Sequence, residues 1–294
     1  MEDRKPRYMN PYTDFGFKRL FGVEANKDLL IDFLNQVLPP EHNIENLQFR
    51  NPENHSDLPF LRKAIFDIQC RGRNGEDIII EMQKEKIQFF KDRSLFAVTF
   101  PIQEQAKKDR WDFKLSHIYL IAVLDFEYDE REEQRKFERY VQLKDQDGDL
   151  FYSKLHFKFL QMPLFTKTES ELKTRFDKWC YFLKNLESFN EIPAILNEPI
   201  FERAFRTSEV SAMSREEYDI YMESLISYWE SQGMLETARA EAEIKGRIEG
   251  KIEGKIEGKE EVALNGIRLG LSDNTIQELT GLSADEIKKL RSRF

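Results

Sequence analysis

The stretch from Ile65 to Glu85, IFDIQCRGRNGEDIIIEMQKE, constrains the fold of this chain more than any other. It reads as two strands joined by a tight turn at Asn74-Gly75. On the first strand Ala64, Phe66, Ile68 and Cys70 share an apolar face, and Ile65, Asp67, Gln69 and Arg71 point the other way. On the second, Ile78, Ile80 and Met82 oppose Asp77, Ile79, Glu81 and Gln83. Alternation of period two is expected of strands with one buried face. Register decides which residues meet. A two-residue Asn-Gly loop would set Phe66 on the same face as Glu81 and mix both patterns. A three-residue loop, Arg73-Asn74-Gly75, with Gly75 at positive φ, pairs Ile68 with Ile80 and Cys70 with Ile78. It also pairs Phe66 with Met82, and Asp67 with Glu81. Opposed side chains on one face have Cβ atoms about 4.5–5.5 Å apart, so the two carboxylates repel unless a cation lies between them. A hard divalent ion such as Mg²⁺ fits that requirement.

The rest of the chain gives this hairpin a setting. Thr13 or Asp14 is a candidate cap for an aromatic-rich opening segment, PYTDFGFKRLF, after a polar start over residues 1–10 that reads as loosely tethered. NKDLLIDFLNQVL has helical spacing and stops at Pro39-Pro40. Residues 44–50 are a weak first strand. After the hairpin, the segment from Lys84 to Trp111 reads as a long helix kinked at Pro101. Leu115–Phe126 is then a near-continuous apolar run, as in a buried central strand. Two more strands flank the turn DQDGD, and residues 169–186 form an amphipathic helix. From about residue 206 only helix signals remain. The predicted organisation is an α/β domain over 1–205, a helical connector over 206–262 and a small helical tail over 263–294.

Within the connector, IKGRIEGKIEGKIEG repeats with period four. On a helix Ile244, Ile248, Ile252 and Ile256 form a column, flanked by Glu249, Glu253 and Glu257 on one side and Arg247, Lys251 and Lys255 on the other. Like charges stack along one helix, and each interior glycine costs about 1 kcal/mol relative to alanine. Two parallel copies would bury the isoleucines and set acidic flank against basic flank. A parallel homodimer is the expectation; a charged linker is the alternative. In the tail, Ser272 caps DNTIQELT, Gly281-Leu282 turns the chain, and Ser283 with Glu286 makes a capping box. Leu271, Ile276, Leu279, Leu282, Ile287 and Leu290 are its expected core. Helix, glycine turn, helix has the form of a helix-turn-helix, and Lys288, Lys289, Arg291 and Arg293 would suit DNA; a plain helical end-piece is the alternative.

Composition sets outer bounds. A net charge of −9 argues against a generic nucleic-acid binder, although a local basic patch can carry phosphate contacts. Cys70 and Cys180 lie in apolar surroundings and read as core thiols of a reducing compartment. With no signal peptide and no apolar run long enough to span a bilayer, a soluble cytoplasmic protein without membrane partners is expected. His42, His55, His117 and His156 are scattered without zinc spacing, and His117 reads as a hydrogen-bonded core residue. Neither a glycine-rich phosphate loop nor a G-x-S-x-G elbow occurs.

Aspartate on one strand with Glu-x-Lys on its neighbour is the arrangement of the PD-(D/E)xK nucleases; here the triplet is Glu81-Met82-Gln83. TDFGFKRLFG, from Thr13 to Gly22, FDIQCRGRNGEDIIIEMQ, KDRSLFAVTFPIQEQ, SHIYLIAVLDF, DKWCYFLKN, the glycine-rich repeat and the tail together resemble the recombination-promoting nuclease (Rpn) family, also described as PD-(D/E)xK transposases. The likeness covers nearly the whole chain. It implies a restriction-endonuclease-like α/β core, a mixed sheet flanked by helices, with a C-terminal all-helical region. It implies a bacterial DNA endonuclease dependent on Mg²⁺ or another divalent cation. Asp67 and Glu81, with the main-chain carbonyl of Met82, carry over as metal ligands, and Gln83 as the residue that holds the nucleophilic water. A glutamine at this third position is common in that family. Asp14, Lys18 and Lys84 form a second tier: an acidic group beside the metal, or a helix cap, for Asp14, and phosphate contacts for the lysines. Arg93 and Gln105, on the helix after the motif, are expected on an exposed helix face, with the active site or DNA as the alternative they could face. The alternative function is a catalytically inactive DNA-binding or regulatory protein that keeps the nuclease fold.

Overall fold

The computed structural model describes residues 6–50, 67–86, 89–106, 112–129 and 131–292. Its centre is a six-stranded mixed sheet in the order β1-β2-β3-β4-β6-β5. β1 (Leu47–Arg50), β2 (Ile68–Gly72) and β3 (Asp77–Gln83) form an antiparallel meander. β4 (Ile118–Leu124) runs parallel to β3, and β6 (Leu150–Gln161) runs parallel to β4. β5 (Glu138–Lys144) closes the edge as the antiparallel partner of β6.

The hairpin takes the odd register. Ile68 pairs with Ile80 and Cys70 with Ile78. Gly75 has φ of +87°, a backbone state open to glycine at little cost. The Gly72 amide donates to Glu76 O and the Gly75 amide to Gly72 O, closing the three-residue loop. Phe66 and the residues before it, back to residue 51, lie outside the described residues.

One expectation for these strands fails. They are buried on both faces, because helices cover both sides of the sheet. Ile78, Ile80, Met82, Tyr119, Ile121, Val123 and Leu160 pack with the helices α1 (Asp14–Phe21), α2 (Lys27–Val37), α4 (Arg175–Asn185) and α5 (Pro199–Ser208). Ile79, Leu120, Ala122, Leu124, Phe157 and Phe159 pack with α3 (Phe90–Ala106) on the other. The order α1, α2, three strands, α3, β4 agrees with the sequence pattern. The helix after the motif is shorter than expected: it begins only at Phe90, and Lys84–Lys86 are not helical.

Of the start expected to be loosely tethered, residues 1–5 lie outside the described residues, and residues 8–10 are not loose. Tyr8 and Met9 are fully buried, and the Met9 amide donates to Ser208 O at the end of α5. Asn10 and Tyr12 join a buried network: the Asn10 amide donates to Tyr221 Oη, and the Tyr12 amide to Asn10 Oδ1. Tyr221 belongs to α6 (Arg215–Arg268), a single 54-residue helix. Tyr228, on the same face of α6 further along, donates to the Asp125 carboxylate at 2.7 Å.

The chain divides into two compact units, residues 1–232 and 233–294. The second contains the period-four stretch, which is helical, with Ile244, Ile248 and Ile256 at least half exposed. It ends in α7 (Asp273–Thr280) and α8 (Ala284–Arg291). The local cap signals are all realised. Ser272 accepts from the Thr275 amide, Gly281 ends α7 at φ of +67°, and Ser283 and Glu286 form the capping box. Ile276, Leu282, Ile287 and Leu290 are buried, joined by Ala263 and Ile267 of α6. Leu279 is not part of this core; it is 63% exposed. No helix among the described residues is long and apolar enough to cross a membrane.

Candidate active site

Asp67 stands one residue before β2, where the ladder with β3 ends at Ile68–Ile80. Its Oδ2 accepts the Met82 amide at 2.6 Å. The side chain thus takes the place of the next main-chain acceptor that a longer β2 would have offered. Odd-numbered residues of β3 donate and accept toward β4, as in the Asp77 amide to His117 O and the Asp125 amide to Gln83 O. Met82 therefore directs its main-chain groups to the Asp67 side, and its side chain enters the core. Glu81 shares the face of Ile79 and is 2% exposed. Gln83 is half-buried, and its side chain lies close enough to Glu81 to favour the ionised carboxylate.

Electrostatics ties these groups together. Burial pushes the Asp67 carboxyl up to about 6, with Asp14 raising it further and the Met82 amide, Lys18 and Arg93 opposing. Burial likewise pushes Glu81 up to about 7, with Asp67 adding to the rise and Arg93 and Gln83 opposing. Asp14 thus adds to the cost of ionising Asp67, and Asp67 to that of Glu81, as like charges do in a poorly solvated place.

Protein stability should respond to these protons. Both groups hold them to higher pH in the folded chain than in the unfolded one. The folded state then binds more protons between about pH 4 and 7, so stability is full below the unfolded pKa and is lost as pH rises through 6 and 7. In metal-free protein, Glu81→Gln is expected to be more stable than wild type at pH 8 by roughly 2–3 kcal/mol, since one pKa unit is about 1.4 kcal/mol. The difference should shrink toward zero by about pH 4.5, the ordinary range of a glutamate. Urea unfolding in EDTA at the two pH values checks it; an equal difference at both would contradict it.

The second-tier residues divide. Thr13, not Asp14, caps α1, its hydroxyl accepting from the Gly16 amide. Asp14 is exposed in the first turn, forms an ion pair with Lys18 at 2.8 Å, and is close enough to act on Asp67. Lys84 turns toward α6, where its ammonium donates to Ser227 Oγ at 3.2 Å.

Arg93 and Gln105 depart from the exposed face expected of them. Arg93 is half-buried and acts on both Asp67 and Glu81. Gln105 is 3% exposed; its Nε2 donates to Asp77 Oδ2 at 2.9 Å and its Oε1 accepts from the Ser116 amide. Asp77 is fully buried and is forked by Arg71, whose Nε and Nη2 donate at 2.9 and 2.7 Å. Arg50, paired with Glu104, lies 3.8 Å from Asp77. This network locks the base of the hairpin at the opposite end of β3 from Glu81.

An Asp just before the start of one strand, a buried Glu in Glu-x-Gln on the next, and helices before and after the meander are now in place. A family model, PD-(D/E)XK nuclease family transposase, matches residues 11–238. The chain belongs to that family. No curated protein and no solved structure matches it. Membership supports a nuclease- or transposase-type function for this family member, and PD-(D/E)XK nucleases generally use divalent metal ions. The donor set fits such an ion: two buried carboxylates, Asp67 adding to the cost of ionising Glu81, with oxygen atoms only, as hard divalent cations prefer.

The histidines require a correction of a different kind. His42, His117 and His156 are not scattered: one nitrogen of each lies within 4.8 Å of those of the others. No spacing rule finds them, since they come from a turn after α2, the residue before β4, and the middle of β6. His117 does hydrogen-bond, as expected, but to His156 and at a half-buried position. His55 lies outside the described residues.

Proposed function

We propose that this protein is a divalent-metal-dependent DNA endonuclease. The observation that carries the reading is the Asp67 carboxylate held by the Met82 amide, close enough to the buried Glu81 to act on its charge. Asp67, Glu81 and the main-chain carbonyl of Met82 would hold Mg²⁺ or a similar ion. When bound, such an ion stabilises negative charge on phosphate oxygens and makes water a better nucleophile near neutral pH. Gln83, beside Glu81, would orient the attacking water, which a neutral amide can do as both donor and acceptor. Arg93 lies on the same side and would balance the excess negative charge. Lys18 is held by an exposed ion pair, which is weak and can be exchanged for a DNA phosphate. Lys84 is the other proposed phosphate contact. The test is nicking of supercoiled plasmid by wild type and Asp67→Ala, with Mg²⁺ or Mn²⁺ and with EDTA. Cleavage by wild type alone, and only with metal, supports the reading; equal cleavage by both removes the proposed site.

We further read the exposed isoleucine column of α6 as the seam of a parallel homodimer, which would supply two nuclease sites for two strands. Its support is that Ile244, Ile248 and Ile256 are exposed on a helix where a Cβ added at Gly246, Gly250, Gly254 or Gly258 would meet nothing outside the helix's own backbone. Deleting residues 244–258 is expected to halve the mass in sedimentation equilibrium; an unchanged mass would sink this idea. The tail of α7 and α8 carries Lys288, Lys289 and Arg291 and is proposed as a DNA-contacting or dimer-end element.

A further inference from the structure

The three-histidine cluster has no part in the chemistry described above. His156 of β6 pairs in register with Tyr119 of β4. Tyr119 is level with Ile78 of β3, three residues before Glu81 and five before Gln83. At about 3.3 Å per residue the cluster is about 10–17 Å along the strands from the carboxylates, and on the opposite face from Glu81. It is also distinct in ligand type, since imidazole nitrogens suit borderline transition-metal ions and carboxylate oxygens suit Mg²⁺.

From this geometry we propose that His42, His117 and His156 form a second metal site, specific for a Zn²⁺-class ion. The His117 Nδ1 and His156 Nε2 are 3.2 Å apart. Two nitrogens bound to one tetrahedral zinc at about 2.0–2.1 Å are separated by about 3.4 Å, so this pair is already at the spacing of a chelate. His42 stands over both, its ring centre 4.7 Å from that of His117 and 5.7 Å from that of His156. Its nitrogen completes a three-nitrogen set within 4.8 Å. Three protein ligands leave a fourth position for water.

The surroundings are built to orient these rings. Tyr140 Oη lies 2.5 Å from His156 Nδ1. Ligation through Nε2 places the remaining proton of a neutral His156 on Nδ1, from which it donates to Tyr140 Oη. Such an outer partner fixes the tautomer of a metal-bound histidine. Tyr119 lies nearly parallel to His156 at 4.6 Å between ring centres and restricts its rotation. His42 and His117 are half-buried, which leaves an entry path, whereas His156 is 3% exposed. The ion would join the turn after α2 to two central strands, β4 and β6, and so fasten the helical layer to the sheet.

The experiment uses untagged, full-length protein freed of metal with EDTA and dialysed. Co²⁺ is titrated with visible absorption as the readout, and Zn²⁺ is titrated against a chromophoric chelator. One equivalent of Co²⁺ per chain is expected, with the bands of a low-symmetry nitrogen site, displaced by Zn²⁺. His156→Ala and His42→Gln should each weaken Zn²⁺ binding by about 100-fold or more, as loss of one of three ligands implies. Tyr140→Phe should weaken it by about tenfold, as loss of an outer-shell partner does. Zn²⁺ at a hundredfold excess over the wild-type Kd should raise the melting temperature by about 5 °C, and by less than about 1 °C in His42→Gln. Glu81→Gln should keep the Co²⁺ bands of the nitrogen site and their displacement by Zn²⁺, since that carboxylate lies outside the cluster. His42 lies in a surface turn, so His42→Gln remains informative if His156→Ala fails to fold. Absence of stoichiometric binding, or binding that His42→Gln leaves unchanged, overturns the proposal.

Discussion

Glu81→Gln should lower metal-dependent DNA cleavage by about 10³-fold or more, while making the metal-free protein more stable at pH 8. A bound cation contributes several kcal/mol to charge stabilisation in such reactions, and about 4 kcal/mol is a factor of 10³. Glutamine keeps the shape of Glu81 but offers a neutral oxygen, so the ion is lost while the packing around a residue that is 2% exposed is kept. The opposed signs set this variant apart from an ordinary folding defect. A damaged fold would lose both activity and stability. A functional carboxylate held in a poorly solvated place loses activity and gains stability, the usual trade at active sites. Gln83→Ala should have a smaller effect, about 10–100-fold, because it removes only an orienting contact. Single-turnover cleavage rates and urea unfolding on the same preparations check both. A Glu81→Gln protein that cleaves within about tenfold of wild type would contradict the assignment.

Asp77→Ala should cost about 3–5 kcal/mol in urea unfolding. It would strip a fully buried carboxylate from Arg71 and from Gln105, leaving a guanidinium and an amide without the acceptor around which they are arranged. Removing one partner of a buried pair is far more damaging than replacing the pair, because the remaining charge is left uncompensated. Asp77 anchors the hairpin at its closed end, whereas Asp67 and Glu81 occupy its open end. The two acidic sites on the same two strands therefore have opposite roles, and their variants should shift stability in opposite directions at pH 8. A loss of less than about 1 kcal/mol for Asp77→Ala would show that Arg71 and Gln105 find other partners at little cost.

Local and periodic features are legible in the residues. The hairpin register follows from alternation plus one glycine able to take positive φ, and it leaves Asp67 just past the ladder, where its side chain takes the Met82 amide next to Glu81. The caps at Ser272 and Ser283 are equally local. Side-chain phase on α3 is not legible in this way. Its sequence is apolar on several sides, with Leu95 and Phe96 exposed and Ala97 and Val98 buried, so nothing marks Arg93 and Gln105 as inward-facing. The burial of Tyr8 and Met9 depends on α5, far along the chain, and no local pattern announces it. Burial on both sides of β3 has a signal, the run Ile78-Ile79-Ile80, which a strictly alternating pattern does not explain. The histidine cluster is the extreme case: three single residues on three elements, brought together by the parallel pairing of β4 and β6 and by the turn after α2.

The central claim is that Asp67 and Glu81 share one divalent ion. Electron paramagnetic resonance of Mn²⁺ titrated into metal-free protein near neutral pH tests it most directly, since free Mn²⁺ is counted apart from bound. Wild type and His156→Ala should each bind one Mn²⁺ per chain at this site, and Asp67→Asn and Glu81→Gln should each lose it. Mn²⁺ binding that survives unchanged in either carboxylate variant would contradict the claim.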